Sequence, residues 1–237
     1  MTMHHPARPL LLPLLGSLVM MAGPALAGRP LATEDAGVLG AGECEVESFL
    51  GRARERGTAP ATQQSVQLGC GTPVDTQVAL QLQRTRQSGD AASAWNVVGK
   101  TSVVDGGDDD PSFALAWSFG QVRDTGRWRW DPQAVNAVAS WPLAPRLTLH
   151  GNLGWSHSSQ ARQSRTTWAV ALEHASSDTL DVMAETFGDD RLKGGPWWQL
   201  GLRWAAIPER LWLDTSLGWH FGDGRERAAT VGLRLAF

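Results

Sequence analysis

The sequence lacks an excess of positive charge, and it has no long hydrophobic run beyond residue 27. Lys and Arg number 21 against 24 Asp and Glu, which gives a net charge of −3 over 237 residues. Domains that bind nucleic acid usually carry a basic excess, so the charge gives no support for such a partner. A helix needs about 20 apolar residues to cross a bilayer, so we predict no membrane-spanning helix in the mature chain.

Motifs that would indicate a cofactor are also missing. The sequence contains no C-x-x-C redox pair, phosphate-binding loop, dinucleotide fingerprint or zinc motif. The acidic run 108–110 lacks the ligand spacing of an EF-hand, and we interpret it as a solvated turn. His150, His174 and His220 lie on separate predicted strands without the spacing of a metal site. We therefore predict neither a cofactor nor a metal.

Glycine, tryptophan and apolar alternation are what the sequence does have. The chain contains 26 Gly and 12 Trp, and its hydrophobic share of 42% is too high for a disordered protein. These features leave two classes of fold, namely a soluble all-β domain and a membrane β-barrel.

Residues 1–27 predict a secretory signal peptide. Arg8 precedes the apolar run Leu10–Ala22, and Ala25 and Ala27 provide the small residues that signal peptidase requires before the cleavage site. The alternative is a membrane anchor, but Pro and Gly residues interrupt the uncharged stretch. Cleavage after Ala27 indicates an exported protein.

The mature chain then divides into two parts. Residues 28–42 show no sustained periodicity, and we predict that they form an irregular leader on the periplasmic side. Residues 43–237 alternate between apolar and polar positions, and we predict that they form a barrel.

Cys44 and Cys70 are the two cysteines of the chain. An exported protein meets an oxidising compartment, which favours a disulfide over two free thiols. Both cysteines fall on the apolar face of their predicted strands and at the same end of one hairpin, where side chains of antiparallel neighbours come within bonding range. We predict that they form a disulfide, with two free thiols as the alternative.

Period-two alternation is clearest in the last strand. Apolar residues occupy every second position from Ala229 to Phe237, while Thr230, Gly232 and Arg234 lie on the other face. The pattern recurs backwards along the chain, and it is weaker at 43–53, 62–70 and 94–104. We predict about twelve strands in all.

The connectors and tryptophans favour a membrane barrel over a soluble sandwich. Short connectors such as 142–145 and 206–209 alternate with longer ones such as 86–93 and 188–195, although 105–111 is long for its position. Nine of the twelve tryptophans fall near one end of their strands. Six are near the long-loop end, namely Trp95, Trp155, Trp168, Trp197, Trp198 and Trp219, and three are near the short-turn end, namely Trp141, Trp204 and Trp212. Two such tiers are typical of aromatic girdles. We predict an all-β, antiparallel up-and-down transmembrane barrel in the cell outer membrane, surrounded by its lipid.

The terminal Phe237 resembles the sorting signal of Gram-negative outer-membrane barrels. The resemblance rests on an aromatic last residue at the end of an alternating strand. It implies that the outer-membrane barrel assembly machinery is a partner and that Phe237 is needed for assembly.

Several segments resemble outer-membrane proteins of the phenol-degradation meta-pathway (MetA-type) family. They include RPLATEDAGVLGAGECEVES at 29–48, AETFGDD at 184–190, PWWQLGLRW at 196–204 and LWLDTSLGW at 211–219. The resemblance covers nearly the whole mature chain. It implies an outer-membrane β-barrel linked to the passage of small, often aromatic or apolar, compounds.

Charged residues on the predicted inward face indicate how a channel would select its solutes. Glu185, Arg203, Asp214 and Arg234 lie on four successive strands with charges of alternating sign, and Asp181 shares the strand of Glu185. Glu45 or Glu47 continues this charge ladder if the first strand closes on the last. One interpretation is that they pair and hold the interior of a closed structural barrel together; the other is that they line a constriction that selects permeants. The leader or side chains also have the size to fill so narrow a lumen, so the sequence leaves its opening undecided.

An outer-membrane lipid hydrolase is the competing class of function. His157 and Ser159 have the spacing that such enzymes use for a base and a nucleophile on one strand face. Gln160 and Ala161 stand where those enzymes carry Asn and Gly. We therefore expect that the protein is not an enzyme.

Overall fold

The chain forms a closed barrel of twelve antiparallel strands. The computed structural model describes residues 31–124, 126–191, 195–221 and 225–237. The predicted signal peptide and leader residues 28–30 lie outside these described residues. Within the described ranges, no helix is long and apolar enough to span a membrane.

Each strand pairs with its neighbours along the chain, and the first strand closes on the last, so the topology is up-and-down. The strands are β1 (Cys44–Arg54), β2 (Ala61–Thr72), β3 (Thr76–Gln87), β4 (Asp90–Val104), β5 (Ser112–Arg123), β6 (Arg129–Ala144), β7 (Leu147–Ser158), β8 (Gln163–Ala175), β9 (Leu180–Asp189), β10 (Trp197–Ile207), β11 (Leu211–His220) and β12 (Arg227–Ala236). Closure leaves no strand edge unpaired, as a sheet in a membrane requires. The predicted fold class is confirmed.

The alternating side chains face outward when apolar and inward when polar. Leu68 and Leu202 on the outer surface are 50% and 45% exposed, whereas Gln81 and Glu185 on the inner surface are only 3% exposed. This arrangement inverts that of a soluble sandwich, whose apolar face would be buried. The outer wall therefore suits a hydrocarbon surrounding.

Two tryptophans depart from the predicted girdles. Trp198 and Trp204 face outward as expected, and each is about half exposed. Trp197 instead points into the lumen, because its neighbour Trp198 occupies the outward position of β10. Trp212 likewise lies inward, directly opposite Arg234. The two-tier prediction was wrong for these residues, because strand parity decides the face and proximity to a turn does not.

The contrast between short and long connectors is weaker than the sequence indicated. The predicted loop 86–93 is reduced to Ser88 and Gly89, which join β3 to β4 directly. Both residues have positive φ, 53° and 93°, as a tight hairpin turn requires. The strands on both sides extend into the polar sequence that had suggested a loop.

The predicted disulfide is confirmed. Cys44 and Cys70 are directly opposite on β1 and β2, and their sulfurs are bonded. They lie at the short-turn end of the barrel.

The leader enters the barrel. It is irregular, as predicted, but its residues 31–42 run inside the lumen, where Leu31, Thr33 and Ala36 are buried. Ala41 forms an isolated parallel bridge with Gly71 at the short-turn end. Its base lies at the short-turn end of the barrel, so the predicted periplasmic side stays a prediction. The lack of periodicity excludes a strand but does not say what the segment contacts.

Phe237 completes the seam between β12 and β1. The amide of Cys44 donates to the carbonyl of Phe237 at 3.0 Å, and the amide of Phe237 donates back to the carbonyl of Cys44 at 2.9 Å. The aromatic side chain faces outward and is 65% exposed.

We propose that assembly depends on this residue. Deleting Phe237 removes the terminal aromatic ring and the last two hydrogen bonds of a seam that otherwise pairs residues 45–54 with residues 227–236. The loss weakens the end of the seam, where unpaired edges would be left if it frayed. We expect loss of the protein from the outer-membrane fraction, measured by cell fractionation and by heat-modifiable gel mobility. Phe237→Tyr, which keeps backbone and ring, is the control and should assemble normally. Normal membrane levels of the deletion variant would contradict the proposal.

Candidate functional site in the barrel lumen

Glu185 in the middle of β9 binds the far end of the leader, which is the segment around Ala32 and Thr33 that lies farthest from β1 along the chain. Its carboxylate accepts the amide N–H of Ala32 at 2.7 Å, the amide N–H of Thr33 at 2.8 Å and the Thr33 hydroxyl at 2.6 Å. Hydrogen bonds to a buried charged group are among the stronger ones in proteins. The acid that the sequence assigned to selectivity is therefore engaged with the chain's own leader.

Polar side chains of three other strands bind the leader backbone further along. Asn152 on β7 accepts from the amide of Glu34 at 2.7 Å and donates to the carbonyl of the same residue at 2.9 Å. The hydroxyl of Ser140 on β6 accepts from Ala36 at 2.8 Å, and the amide oxygen of Gln77 on β3 accepts from Leu39 at 3.0 Å. The irregular backbone is thereby supplied with the partners that a strand would find in a sheet.

Lys100 on β4 adds a charged contact. Its ammonium donates to the carbonyl of Asp35 at 3.0 Å and lies 3.5 Å from carboxylate oxygens of both Glu34 and Asp35. Burial raises the pKa of the Glu34 carboxyl to about 8, although the nearby Lys100 ammonium opposes the rise. One lysine therefore holds two consecutive acids of the leader.

Small and apolar wall residues accommodate the leader's side chains. Leu31 packs with Ala171 and Met183. The second cluster comprises Ala36 of the leader and the wall residues Ala114, Ala116 and Val138. Alanines on the inner face leave space for a chain segment, and their burial against the leader contributes roughly 25 cal/mol per Å².

The base of the leader fits against Gly71. The amide of Gly42 donates to the carbonyl of Gly71 at 3.1 Å, and the amide of Gly71 donates to the carbonyl of Glu43 at 2.9 Å. A Cβ atom at Gly71 would overlap the carbonyl oxygens of Leu39 and Gly40. Only glycine allows the leader backbone to pass so close.

A cavity of about 380 Å³ remains beside the leader, in the part of the lumen near the short-turn end. Its charged lining consists of the acids Glu34, Asp35, Glu43, Glu45, Glu47 and Glu173 and the bases Lys100, Arg203 and Arg234. The raised pKa keeps Glu34 mostly protonated at neutral pH, but the other five acids still outnumber the three Lys and Arg residues, and the field in the cavity therefore favours cations.

The structure brings together only part of the predicted charge ladder. Arg203 lies directly opposite both Asp181 and Asp214, as the alternation indicated. Arg234 forms a 2.6 Å ion pair with Glu45 across the closing seam, as expected when the first strand pairs with the last. It is not opposite Asp214, and its guanidinium lies 4.7 Å from the centre of the Trp212 ring.

Glu185 stands apart from this ladder. It is opposite Gln199 and Ala171 and binds the leader, not an arginine. Arg203 and Arg234 line the cavity, whereas Glu185 and Asp214 do not.

Sequence reasoning missed Lys100, Asn152, Ser140 and Gln77. Lys100 carries a usable signal, since it is one of only two lysines in the chain and has the inward parity of its strand. The other three are ordinary polar residues on an inward face, and nothing in the sequence distinguishes them from neighbours that bind no leader.

An amide network lines the wall near β1 to β4. Gln81 donates to Gln67 at 3.2 Å and accepts from Gln83 at 2.7 Å and from Asn96 at 3.1 Å. Gln67 in turn donates to Glu47 at 3.3 Å. These groups present a polar surface to the lumen.

His157 and Ser159 do not form a base–nucleophile pair in the structure. The ring of His157 is hydrogen-bonded to the Ser164 hydroxyl at 3.0 Å, across the hairpin from β7 to β8. The backbone amide of Ser159 donates to Asp131 at 2.8 Å. The spacing that suggested a hydrolase therefore places the two residues in separate contacts.

A family model described as "Uncharacterised conserved protein UCP029691" matches residues 16–237. The chain belongs to this family. Comparison with curated proteins gives no significant match. This match does not test the resemblance to the MetA-type group, which stays a prediction.

Solved structures with a similar fold include porins, an outer-membrane channel and the β domain of an autotransporter. The KdgM porin in complex with disordered oligogalacturonate has a TM-score of 0.61 at 8% identity, covering 81% of this chain and 99% of that one. The NanC porin has a TM-score of 0.58 at 7% identity, with 80% and 98% covered. The COG4313 outer membrane channel from Pseudomonas putida F1 has a TM-score of 0.59 at 10% identity, with 86% and 98% covered. At such low identities the likeness concerns the fold.

We expect Glu185→Ala to release the far end of the leader. The substitution removes three hydrogen bonds to a charged acceptor, and a loss of about 3 kcal/mol would make the amides of Ala32 and Thr33 exchange roughly a hundredfold faster. Hydrogen exchange of the purified barrel measures this effect. Asp181→Ala, on the same strand and the same inner face, is the matched control. Equal exchange rates in the two variants would contradict the anchoring role of Glu185.

Proposed function

We propose that the protein is an outer-membrane channel through which small solutes pass passively. The observation that carries the proposal is a closed barrel with an apolar outer wall, a hydrogen-bonding inner wall and a charged cavity of about 380 Å³. Porin-like structural neighbours support this proposal. Outer-membrane lipid and the barrel assembly machinery are the partners that such a protein requires.

Arg203 and Arg234 are the cavity's positive selectivity residues in this proposal. Each has acidic neighbours, Asp214 for Arg203 and Glu45 for Arg234. Since carboxylates are in the majority, we propose that the channel favours cations and that the arginines limit this preference.

The resemblance to MetA-type proteins extends the proposal to small aromatic solutes. Phe187, Trp197 and His220 stack on the inner wall, with centroid separations of 6.1 and 5.4 Å. Stacked rings of this kind suit planar solutes. They are the feature of the lumen that supports this choice of substrate.

A closed structural barrel is the second candidate. The leader favours it, because residues 31–42 fill part of the lumen and are held by buried hydrogen bonds. The two candidates differ in whether any ion crosses the purified protein.

Selectivity tests the channel proposal. We expect Glu45→Gln to shift the reversal potential in a KCl gradient toward anion preference, because Arg234 loses its ion-pair partner. Asp214→Asn should shift it in the same direction by removing the acid opposite Arg203. Glu209→Gln, an exposed turn acid outside the cavity lining, is the matched control and should leave the potential unchanged. A barrel that passes no ions either intact or without residues 28–40 would contradict the channel.

A further inference from the structure

The lumen recognises the backbone of the leader more than its side chains. Between Ala32 and Leu39, seven hydrogen bonds from five strands reach main-chain atoms. The wall residues that make them are Gln77, Lys100, Ser140, Asn152 and Glu185. Groups that satisfy amides and carbonyls in this way fit any extended peptide of suitable size.

Side-chain recognition is confined to a few positions of the leader. The Leu31 and Ala36 side chains enter the two small apolar clusters described above. The carboxylates of Glu34 and Asp35 each lie 3.5 Å from the Lys100 ammonium, and the Thr33 hydroxyl donates to Glu185 at 2.6 Å. The groove thus has an acid site between two sites for small or aliphatic side chains.

The leader is held in this groove by non-covalent contacts. Its single β-bridge within the described residues is the one between Ala41 and Gly71 at its base. The covalent constraint nearest to it, the Cys44–Cys70 disulfide, lies beyond that base. Within the described residues, no covalent bond between residues 31–40 and the wall therefore has to break for this segment to leave the lumen.

We propose that the lumen is a binding groove for an extended peptide and that the leader is its resident occupant, which closes the channel until it is displaced. The inference rests on the proposed channel function for its closing role. The ligand class is a short, unstructured peptide with free amide groups, a hydroxyl residue at the position of Thr33, acidic residues at those of Glu34 and Asp35, and small or aliphatic residues at those of Leu31 and Ala36.

Two variants empty the groove in different ways. The first lacks residues 28–40 but keeps the bridge and the disulfide. The second is Gly71→Val, whose side chain would overlap the carbonyl oxygens of Leu39 and Gly40. Gly151→Ala is the matched control, since a Cβ there meets no atom within 4 Å. Heat-modifiable mobility establishes that each variant has formed a barrel.

Conductance in planar bilayers is the first readout. We expect both emptied variants to conduct at least about twofold more than wild type, because the leader blocks the path that a solute would take. The Gly151→Ala barrel should conduct as wild type does. The native side chains of Leu31 and Met183 pack together, so the double variant Leu31→Cys and Met183→Cys should form a disulfide that fixes the leader in place. We expect the oxidised double variant to conduct less than wild type and the reduced one to return to the wild-type level. Wild type under the same reductant controls for the native disulfide.

Peptide binding is the second readout. The probe is a synthetic peptide of sequence RPLATEDAGVLG, residues 29–40, carrying fluorescein at its C-terminal end. Its anisotropy should rise with the shortened barrel and not with wild type, and the unlabelled peptide should abolish the added conductance. A peptide with L31D and A36D should bind at least about tenfold more weakly, since it places charge in the apolar clusters.

The outcomes separate this inference from the channel itself. Equal conductance in wild type and both emptied variants, without peptide binding, overturns the inference and leaves the channel standing. Peptide binding by a shortened barrel that never conducts supports the groove and ends the channel proposal. Conduction by the shortened barrel that unrelated peptides block equally well would overturn the specific match between leader and groove.

Discussion

Closure of the sheet is the constraint on which the rest of this structure depends. Once β1 pairs with β12, every strand has two neighbours and the alternating faces become an outside and an inside. The apolar face then turns to lipid, and the polar face is confined to a narrow lumen. Buried polar groups need partners, so the inside of a twelve-stranded barrel must be filled by water, by paired side chains or by polypeptide.

The leader is the polypeptide that fills part of this lumen and supplies hydrogen-bond partners to the polar groups of the wall. Its backbone offers amides to Glu185, Ser140 and Gln77 and both a donor and an acceptor to Asn152. A helix would use those backbone groups internally and a strand of a sheet would use them on its neighbours, whereas an irregular segment leaves them available for the wall. The absence of periodicity in residues 31–42 is therefore what suits them to bind inside a polar lumen.

The sequence predicted the architecture well because a barrel repeats one simple pattern. Alternation fixes the face of each residue, and the Cys44–Cys70 pair fixes the register of the first hairpin. The candidate site was only partly predictable. The inward parity of Arg203 and Glu185 follows from their strands, but the choice of partner depends on the three-dimensional course of the leader.

Errors arose where a local cue competed with parity or with tertiary contact. Trp212 is near a turn yet faces inward, because Leu211 and Leu213 occupy the outward positions of its strand. The polar residues around Ser88 suggested a loop, but positive φ at two consecutive residues allows a tight hairpin. Composition describes the average environment of a segment, whereas these outcomes depend on single residues.

The disulfide and the base of the leader meet at the short-turn end of the barrel, where together they fix the point from which the leader enters the lumen. Cys44 follows the leader directly, and Cys70 precedes Gly71, the residue that the leader crosses. The covalent bond therefore ties the start of β1 to the wall on which the leader rests, while the segment beyond Ala41 is held by hydrogen bonds and packing. A fixed base limits the positions that residues 31–40 can reach when they leave the wall, and it keeps them close to the lumen. Displacement and return are then movements within one chain at high effective concentration, which favours the docked state without a tight intrinsic affinity.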